Sequence, residues 1–197
     1  MKTTSVVLAG VGGQGILLAS EIIARAAMAA GFDVKTNEVH GMAQRGGSVI
    51  AQIRYGEKVY SPLVALGTAN AFGSLEKVEG LRYVDYLAPG GLAVVSSQVV
   101  VPVTVSSGAA KYPHDMENRL RQAFPRLIYL EADRIALQSG NIRASNVVVV
   151  GALSTGLELP ADAWVKAIEM SVKKQYIELN LRAFQAGVEQ AQSSVAA

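Results

Sequence analysis

The chain begins with an apolar run, Val6-Val7-Leu8-Ala9, then the glycine-rich stretch Gly10-Val11-Gly12-Gly13-Gln14-Gly15, then a second apolar segment from Ile16 onward. This order predicts a short buried strand over residues 5–9, a tight turn, and a helix over 13–30. Ile16, Leu17, Leu18, Ile22 and Ile23 make that helix apolar on most sides, so neighbours must cover it. Gly31 is a helix stop, and Asp33 to Glu38 predict a second short strand. Val49, Ala51, Ile53 and Tyr55 alternate with more polar positions, as in a half-buried strand over 48–55; Gly56-Glu57 and Lys58-Val59-Tyr60 then predict a hairpin. A further buried strand is expected within 65–72. Ser74 is the expected cap of a helix reaching Tyr86, stopped by Pro89-Gly90-Gly91 ahead of a parallel core strand, Leu92 to Val95.

Val99 to Val105 is rich in β-formers but contains Pro102, which assigns it to a sheet edge. A helix from Asp115 toward Ala123, a strand at Leu127 to Leu130 and a short helix from Ala132 to Gln138 follow. Over 143–156, Val147 to Val150 favour a strand, whereas Ala144, Val148, Ala152 and Thr155 recur at helical spacing, and the length selects a helix. Two amphipathic helices close the chain, one carrying Trp164, Ile168 and Val172, the other Ile177, Leu181, Phe184 and Val188. The order predicts an α/β fold: one Rossmann-like domain over 1–192, with a mostly parallel sheet, helices on both faces and an added β-hairpin. Residues 193–197 are expected to fray.

Composition narrows the function classes. The 197 residues include 18 Lys and Arg against 16 Asp and Glu, a formal charge of +2 that argues against nucleic acid as a partner. No apolar stretch is long enough to span a membrane. The apolar start preceded by Lys2 imitates a signal peptide, but four glycines, Gln14, Glu21 and Arg25 break that pattern, so a cytoplasmic protein is expected. The chain has no cysteine, which removes disulfides, thiolate metal sites, thiol catalysis and clusters held by its own thiolates.

Gly10, Gly12 and Gly15 fit the G-x-G-x-x-G spacing, with Gly13 as an extra glycine; such a turn brings bare N–H groups to an anion at a helix N-terminus. It also serves as a tight strand-to-helix turn with no ligand. Glu38 stands where a dinucleotide-binding protein places its ribose-binding carboxylate, or is a solvated residue at a strand end. Downstream, Val39-His40-Gly41-Met42-Ala43-Gln44-Arg45-Gly46-Gly47-Ser48 is a polar, glycine-bearing loop. Arg45 suits a carboxylate or phosphate as well as a surface ion pair, and His40 is either a functional imidazole of the loop or a residue hydrogen-bonded in a turn. His114 reads as an exposed loop residue. No G-x-S-x-G elbow, H-E-x-x-H pair, P-loop lysine or close carboxylate pair in a glycine-rich setting is present, so no catalytic residue and no metal ligand is assigned.

The glycine turn together with Glu38 through Val49 resembles the gamma-type domain of the 2-oxoacid:ferredoxin oxidoreductases. Within that family the similarity is strongest to the small (beta) subunit of indolepyruvate:ferredoxin oxidoreductase, through Glu57-Lys58-Val59-Tyr60-Ser61-Pro62-Leu63, Leu81-Arg82-Tyr83 and Asn146 to Leu153. It extends from about residue 5 to residue 190. The resemblance implies oxidative decarboxylation of a 2-oxoacid, with coenzyme A taking the acyl group and ferredoxin the electrons. It implies a large partner subunit carrying thiamine diphosphate and iron-sulfur clusters, in keeping with the missing cysteines. Gly10, Gly12, Gly13, Gln14 and Gly15 are then expected at the coenzyme A nucleotide, and His40, Gln44, Arg45, Gly46 and Gly47 on the substrate-facing side. An NAD-dependent oxidoreductase using Gly10 to Gly15 and Glu38, or a nucleotide-sensing subunit without turnover, are the competing readings.

Overall fold

The computed structural model describes residues 3–41 and 46–195. Six strands form one sheet in the order β2-β3-β1-β4-β5-β6: β1 (Thr4–Val11), β2 (Asp33–His40), β3 (Ser48–Gly56), β4 (Ala69–Ser74), β5 (Leu87–Ser96) and β6 (Leu127–Leu130). β1, β4, β5 and β6 are mutually parallel, while β3 runs antiparallel to both of its neighbours. The helices are α1 (Ile16–Ala29), α2 (Lys77–Arg82), α3 (Val103–Ser106), α4 (Met116–Ala123), α5 (Ala132–Ser139), α6 (Ser145–Ser154), α7 (Ala161–Ser171) and α8 (Ile177–Val195).

Two cores follow from the strand alternation. Val6, Leu8, Ala51, Ile53, Ala71 and Val94 face a core shared with α1, α5, α6, α7 and α8. Val7, Ala9, Ile50, Phe72, Ala93 and Val95 face the other, closed by Leu81 of α2 and by Leu120 and Phe124 beside α4. The near-continuous apolar runs of β1 and β5 are what a sheet buried on both faces requires. The ambiguous stretch is helical because α6 is buried all round: Asn146 through Leu153 are all inaccessible. Its backbone touches that of α8, where a Cβ on Gly151 would lie 2.1 Å from the Phe184 carbonyl oxygen, and one on Gly187 2.1 Å from that of Val148.

Several expectations shift. The hairpin lies at β2–β3 rather than at 48–60: β3 pairs with β1 and β2 along its length, leaving no free edge for Lys58 to Tyr60. The chain after Gly56 instead crosses the sheet, held by Val59 N–H to Asp33 (2.9 Å), Arg54 to the Ser61 carbonyl (3.0 Å) and Val64 N–H to Gln52 (2.6 Å). β1 and β2 are parallel but not neighbours, because β3 lies between them, so β1-α1-β2 is not an adjacent βαβ unit. β4 starts at Ala69, four residues later than expected. The stop at Pro89-Gly90-Gly91 is part of β5, whose register against β4 shifts from Ala69↔Leu87 to Ala71↔Leu92 to absorb it. Val99 to Val105 forms no strand; Pro102 accepts from the N–H groups of Val105 (2.9 Å) and Ser106 (3.0 Å), opening the one-turn α3. At the far end α8 is helical through Val195, and the Ser193 and Ser194 hydroxyls donate back to the carbonyls of Glu189 and Gln190.

Candidate functional site

The glycine turn stands at the C-terminal end of β1, where α1 leaves across one face of the sheet and α2, following β4, covers the other. In an open α/β sheet this divergence leaves a crevice suited to a ligand. Gly13 and Gly15 have φ of +105° and +83°, conformations that side chains resist, and Gly15 is the N-cap of α1. Gly10 allows a close approach instead: a Cβ there would meet Ile16 Cδ1 at 2.6 Å and Gln14 Oε1 at 2.8 Å.

The turn is bonded directly to the second predicted motif. Gly12 N–H donates to the Gly47 carbonyl (2.8 Å), and Gly46 N–H reaches the Gly12 carbonyl (3.4 Å). Two segments more than thirty residues apart in sequence therefore form one backbone-to-backbone junction. His40 ends β2 opposite Val49 and is exposed; Gly41 N–H donates to the Ser48 carbonyl (2.9 Å) and draws the loop's two ends together. Gln44 and Arg45 lie outside the described residues.

Not every predicted N–H is available to an anion. Gly12 N–H is engaged by Gly47, and Gln14 N–H by the Val11 carbonyl (3.1 Å). Gly13 and Gly15 make no backbone donation among the described residues, and they adjoin the first turn of α1, whose N–H groups lack intrahelical partners. Gln14 is a cross-brace: its Oε1 accepts from Val11 N–H (2.7 Å), while its Nε2 donates to the Leu75 carbonyl (2.9 Å) and to Gln98 Oε1. That ties the ends of β1, β4 and β5 into one platform. Asn146 at the start of α6 completes it, donating from Nδ2 to the Gly15 carbonyl (3.0 Å).

Beside the junction lies a buried polar network built on two carboxylates at the head of α2, Glu76 and Glu79. Glu76, 1% exposed, is the N-cap of α2 and accepts from Val78 N–H (2.7 Å), Glu79 N–H (3.0 Å) and Tyr112 Oη (2.9 Å). The expected cap, Ser74, donates instead to the Glu76 carbonyl (2.6 Å), since only the longer carboxylate reaches the α2 N–H groups. Burial, and then the Glu76 carboxylate accepting its proton, push the Tyr112 phenol above its usual range. Glu79 accepts from Ser48 Oγ and pairs with Arg82 (3.0 Å), and Ser48 Oγ also meets Tyr83 Oη (2.9 Å). Ser48 directly follows Gly47, so α2 grips the strand at the foot of the glycine junction.

Glu38 is placed away from all of this. It pairs with Ala51, which pairs with Leu8, leaving a whole strand between Glu38 and β1. A cleft of about 880 Å³ lined by Leu92, Arg126, Trp164 and Phe184 opens at the other end of the sheet, by the starts of β5 and β6.

The profile of the pyruvate ferredoxin/flavodoxin oxidoreductase family matches residues 5–190, a span that contains the turn, the loop, α2 and Asn146. This chain belongs to that family. The indolepyruvate oxidoreductase subunit IorB of Thermococcus kodakarensis is 43% identical over 97% of each chain. In fold, a keto/oxoacid ferredoxin oxidoreductase gamma subunit from Geobacter sulfurreducens superposes with a TM-score of 0.72 at 23% identity, covering 96% of this chain and 99% of its own. A 2-oxoglutarate:ferredoxin oxidoreductase from Magnetococcus marinus, solved with 2-oxoglutarate, coenzyme A and succinyl-CoA bound, gives 0.73 at 20% identity over 98% of this chain and 32% of that longer one. The oxidoreductase family supplies the chemical setting for the donor set. A chain without cysteine cannot ligate an iron-sulfur cluster through thiolates, whereas the positive-φ glycines at the head of α1 fit a phosphate.

Proposed function

We propose that this chain is the small subunit of a cytoplasmic 2-oxoacid:ferredoxin oxidoreductase of the indolepyruvate type. A 2-oxoacid, coenzyme A and two oxidised ferredoxins give acyl-CoA, carbon dioxide, a proton and two reduced ferredoxins. Thiamine diphosphate in the large partner subunit supplies the carbanion chemistry of decarboxylation, and clusters in that partner carry the electrons. This chain binds and shapes. N–H groups of Gly13, Gly15 and the first turn of α1 hold the phosphates of coenzyme A at the positive end of the helix. Gly12 and Gly47 tie the entry to β3 onto that turn; of the loop before it, Gln44 and Arg45 are assigned to the substrate-facing side, Arg45 to the substrate carboxylate or a coenzyme A phosphate.

The observation that carries the reading is the Gly12–Gly47 junction, because it joins the anion turn to the arginine loop in a chain 43% identical over almost its full length to an indolepyruvate oxidoreductase subunit. The position of Glu38 counts against a nicotinamide dinucleotide. A strand's width removes the carboxylate from the turn where the ribose would lie.

Co-expression with the large subunit tests the assignment. The expected product is a brown complex containing iron and thiamine diphosphate that reduces ferredoxin only when 2-oxoacid and coenzyme A are both present. A colourless chain that turns over alone, or tight NADH binding by the chain with no effect of coenzyme A, would refute it. Arg45→Ala in the complex is expected to raise the KM for 2-oxoacid or for coenzyme A; unchanged turnover with both KM values intact would remove Arg45 from the site.

A further inference from the structure

Next to the glycine turn, on the α6 side, is a cleft of about 410 Å³ that the reading above leaves unused. It is reached from the turn by two routes. Leu18, which lines it, is three residues past Gly15, about 4.5 Å along α1. Arg143, which also lines it, is three residues before Asn146, whose side chain holds the Gly15 carbonyl. The lining is cationic and contains no carboxylate. Arg143 and Lys173 are both exposed, and neither forms an ion pair among the described residues. Glu178, adjacent in sequence to Leu179 of the lining, is held by Arg182 at 2.6 Å. The Ser171 hydroxyl in the same lining is buried with no hydrogen-bond partner, an omission that a bound polar group would repair. Tyr176 supplies an aromatic ring, 45% exposed, on the cleft wall.

Two unpaired cations, a buried unsatisfied hydroxyl and a half-exposed aromatic ring suit a phosphorylated purine nucleoside better than an apolar chain or a simple carboxylate. We infer that this cleft takes the 3′-phosphoadenosine end of coenzyme A, with the 3′-phosphate between Arg143 and Lys173 and the base against Tyr176, while the diphosphate stays on the Gly13–Gly15 turn. This rests on the proposed assignment of coenzyme A to that turn. It gives the small subunit two anion contacts on one ligand and makes the 3′-phosphate a feature this chain reads.

The test compares coenzyme A with 3′-dephospho-coenzyme A as acceptor in the assembled complex. Arg143→Ser and Lys173→Ser change exposed side chains outside the hydrophobic core, so the subunit is expected to fold and assemble. Each should raise the KM for coenzyme A about tenfold, the usual effect of losing a charge-assisted contact, and change that for dephospho-coenzyme A by less than about twofold. Tyr176→Ala should raise both. If Arg143→Ser and Lys173→Ser leave the coenzyme A KM unchanged, or raise both values equally, the 3′-phosphate assignment is overturned. Gly13→Ala, whose new Cβ meets nothing within 4 Å, separates the two failures. An increase in the coenzyme A KM there alone preserves the turn as the diphosphate site and rejects the cleft, whereas no response in any of these variants rejects both.

Discussion

Gly15→Ala is the substitution in which conformation and packing can be weighed separately, because Gly13 provides an internal control. Both glycines have positive φ, +83° and +105°. An alanine at either position pays about 1–2 kcal/mol for the left-handed backbone and recovers about 0.4–1 kcal/mol through a stiffer unfolded chain. At Gly13 nothing stands within 4 Å of the new Cβ, so the net cost should stay near 1 kcal/mol. At Gly15 the Cβ would lie 2.6 Å from Asn146 Nδ2, on a side chain 2% exposed that has little room to yield. Displacing it breaks the bond to the Gly15 carbonyl, about 1 kcal/mol, and adds an overpacking term of about 1–3 kcal/mol. Urea unfolding of the isolated subunit should therefore show a loss of about 3–5 kcal/mol for Gly15→Ala against about 1 kcal/mol for Gly13→Ala. In a double-mutant cycle, Asn146→Ala should recover at least about 1 kcal/mol of the Gly15→Ala loss, since the clash leaves with the amide. Equal losses at the two glycines together with additivity in the cycle would refute the claim that Asn146 locks the turn.

Gly151→Ala should be far worse than an ordinary helical glycine-to-alanine change. The new Cβ would fall 2.1 Å from the Phe184 carbonyl oxygen, a backbone atom, so α6 and α8 must separate; a loss of about 3 kcal/mol or more by urea midpoint is expected, and a gain would show that the helices slide freely. Ser48→Ala leaves Glu79 with a poorly satisfied buried oxygen, costing about 1–2 kcal/mol, and by loosening the foot of the Gly12–Gly47 junction it should raise the coenzyme A KM about fivefold in the complex; Ser48→Thr should restore it. Burial pushes the Tyr55 hydroxyl up to about 12, while the unfolded chain ionises near 10, so the stability contribution of this group is intact below pH ~10 and is lost as pH rises through about 12. Urea midpoints across that range should fall less steeply for Tyr55→Phe, and parallel slopes would exclude Tyr55 as the source.

The parts of this site that were legible in the sequence are those encoded locally. A strand, a glycine turn and a helix start are contiguous, so the spacing of Gly10, Gly12 and Gly15 was enough to place them, and α6 was legible as a helix from the helical spacing and length of the segment over 143–156. What escaped depends on pairing between distant segments. Gly12 looked like a ligand-facing donor because nothing near it in sequence uses its N–H; the partner, Gly47, is brought there only by the antiparallel entry of β3 beside β1. The same entry inserts a strand between β1 and β2 and so removes Glu38 from the turn. It also explains why Lys58 to Tyr60 do not return as a strand, since both edges of β3 are already taken. Gln14 changed role for a related reason: its side chain reaches Leu75 and Gln98, which converge only once β4 and β5 stack in parallel beside β1. One topological event, β3 taking the place that β2 holds in a plain βαβ unit, thus joins the arginine loop to the glycine turn and dismantles the ribose site. The same glycine spacing thereby comes to serve a turn braced by Gly47 on one side and by Asn146 of α6 on the other.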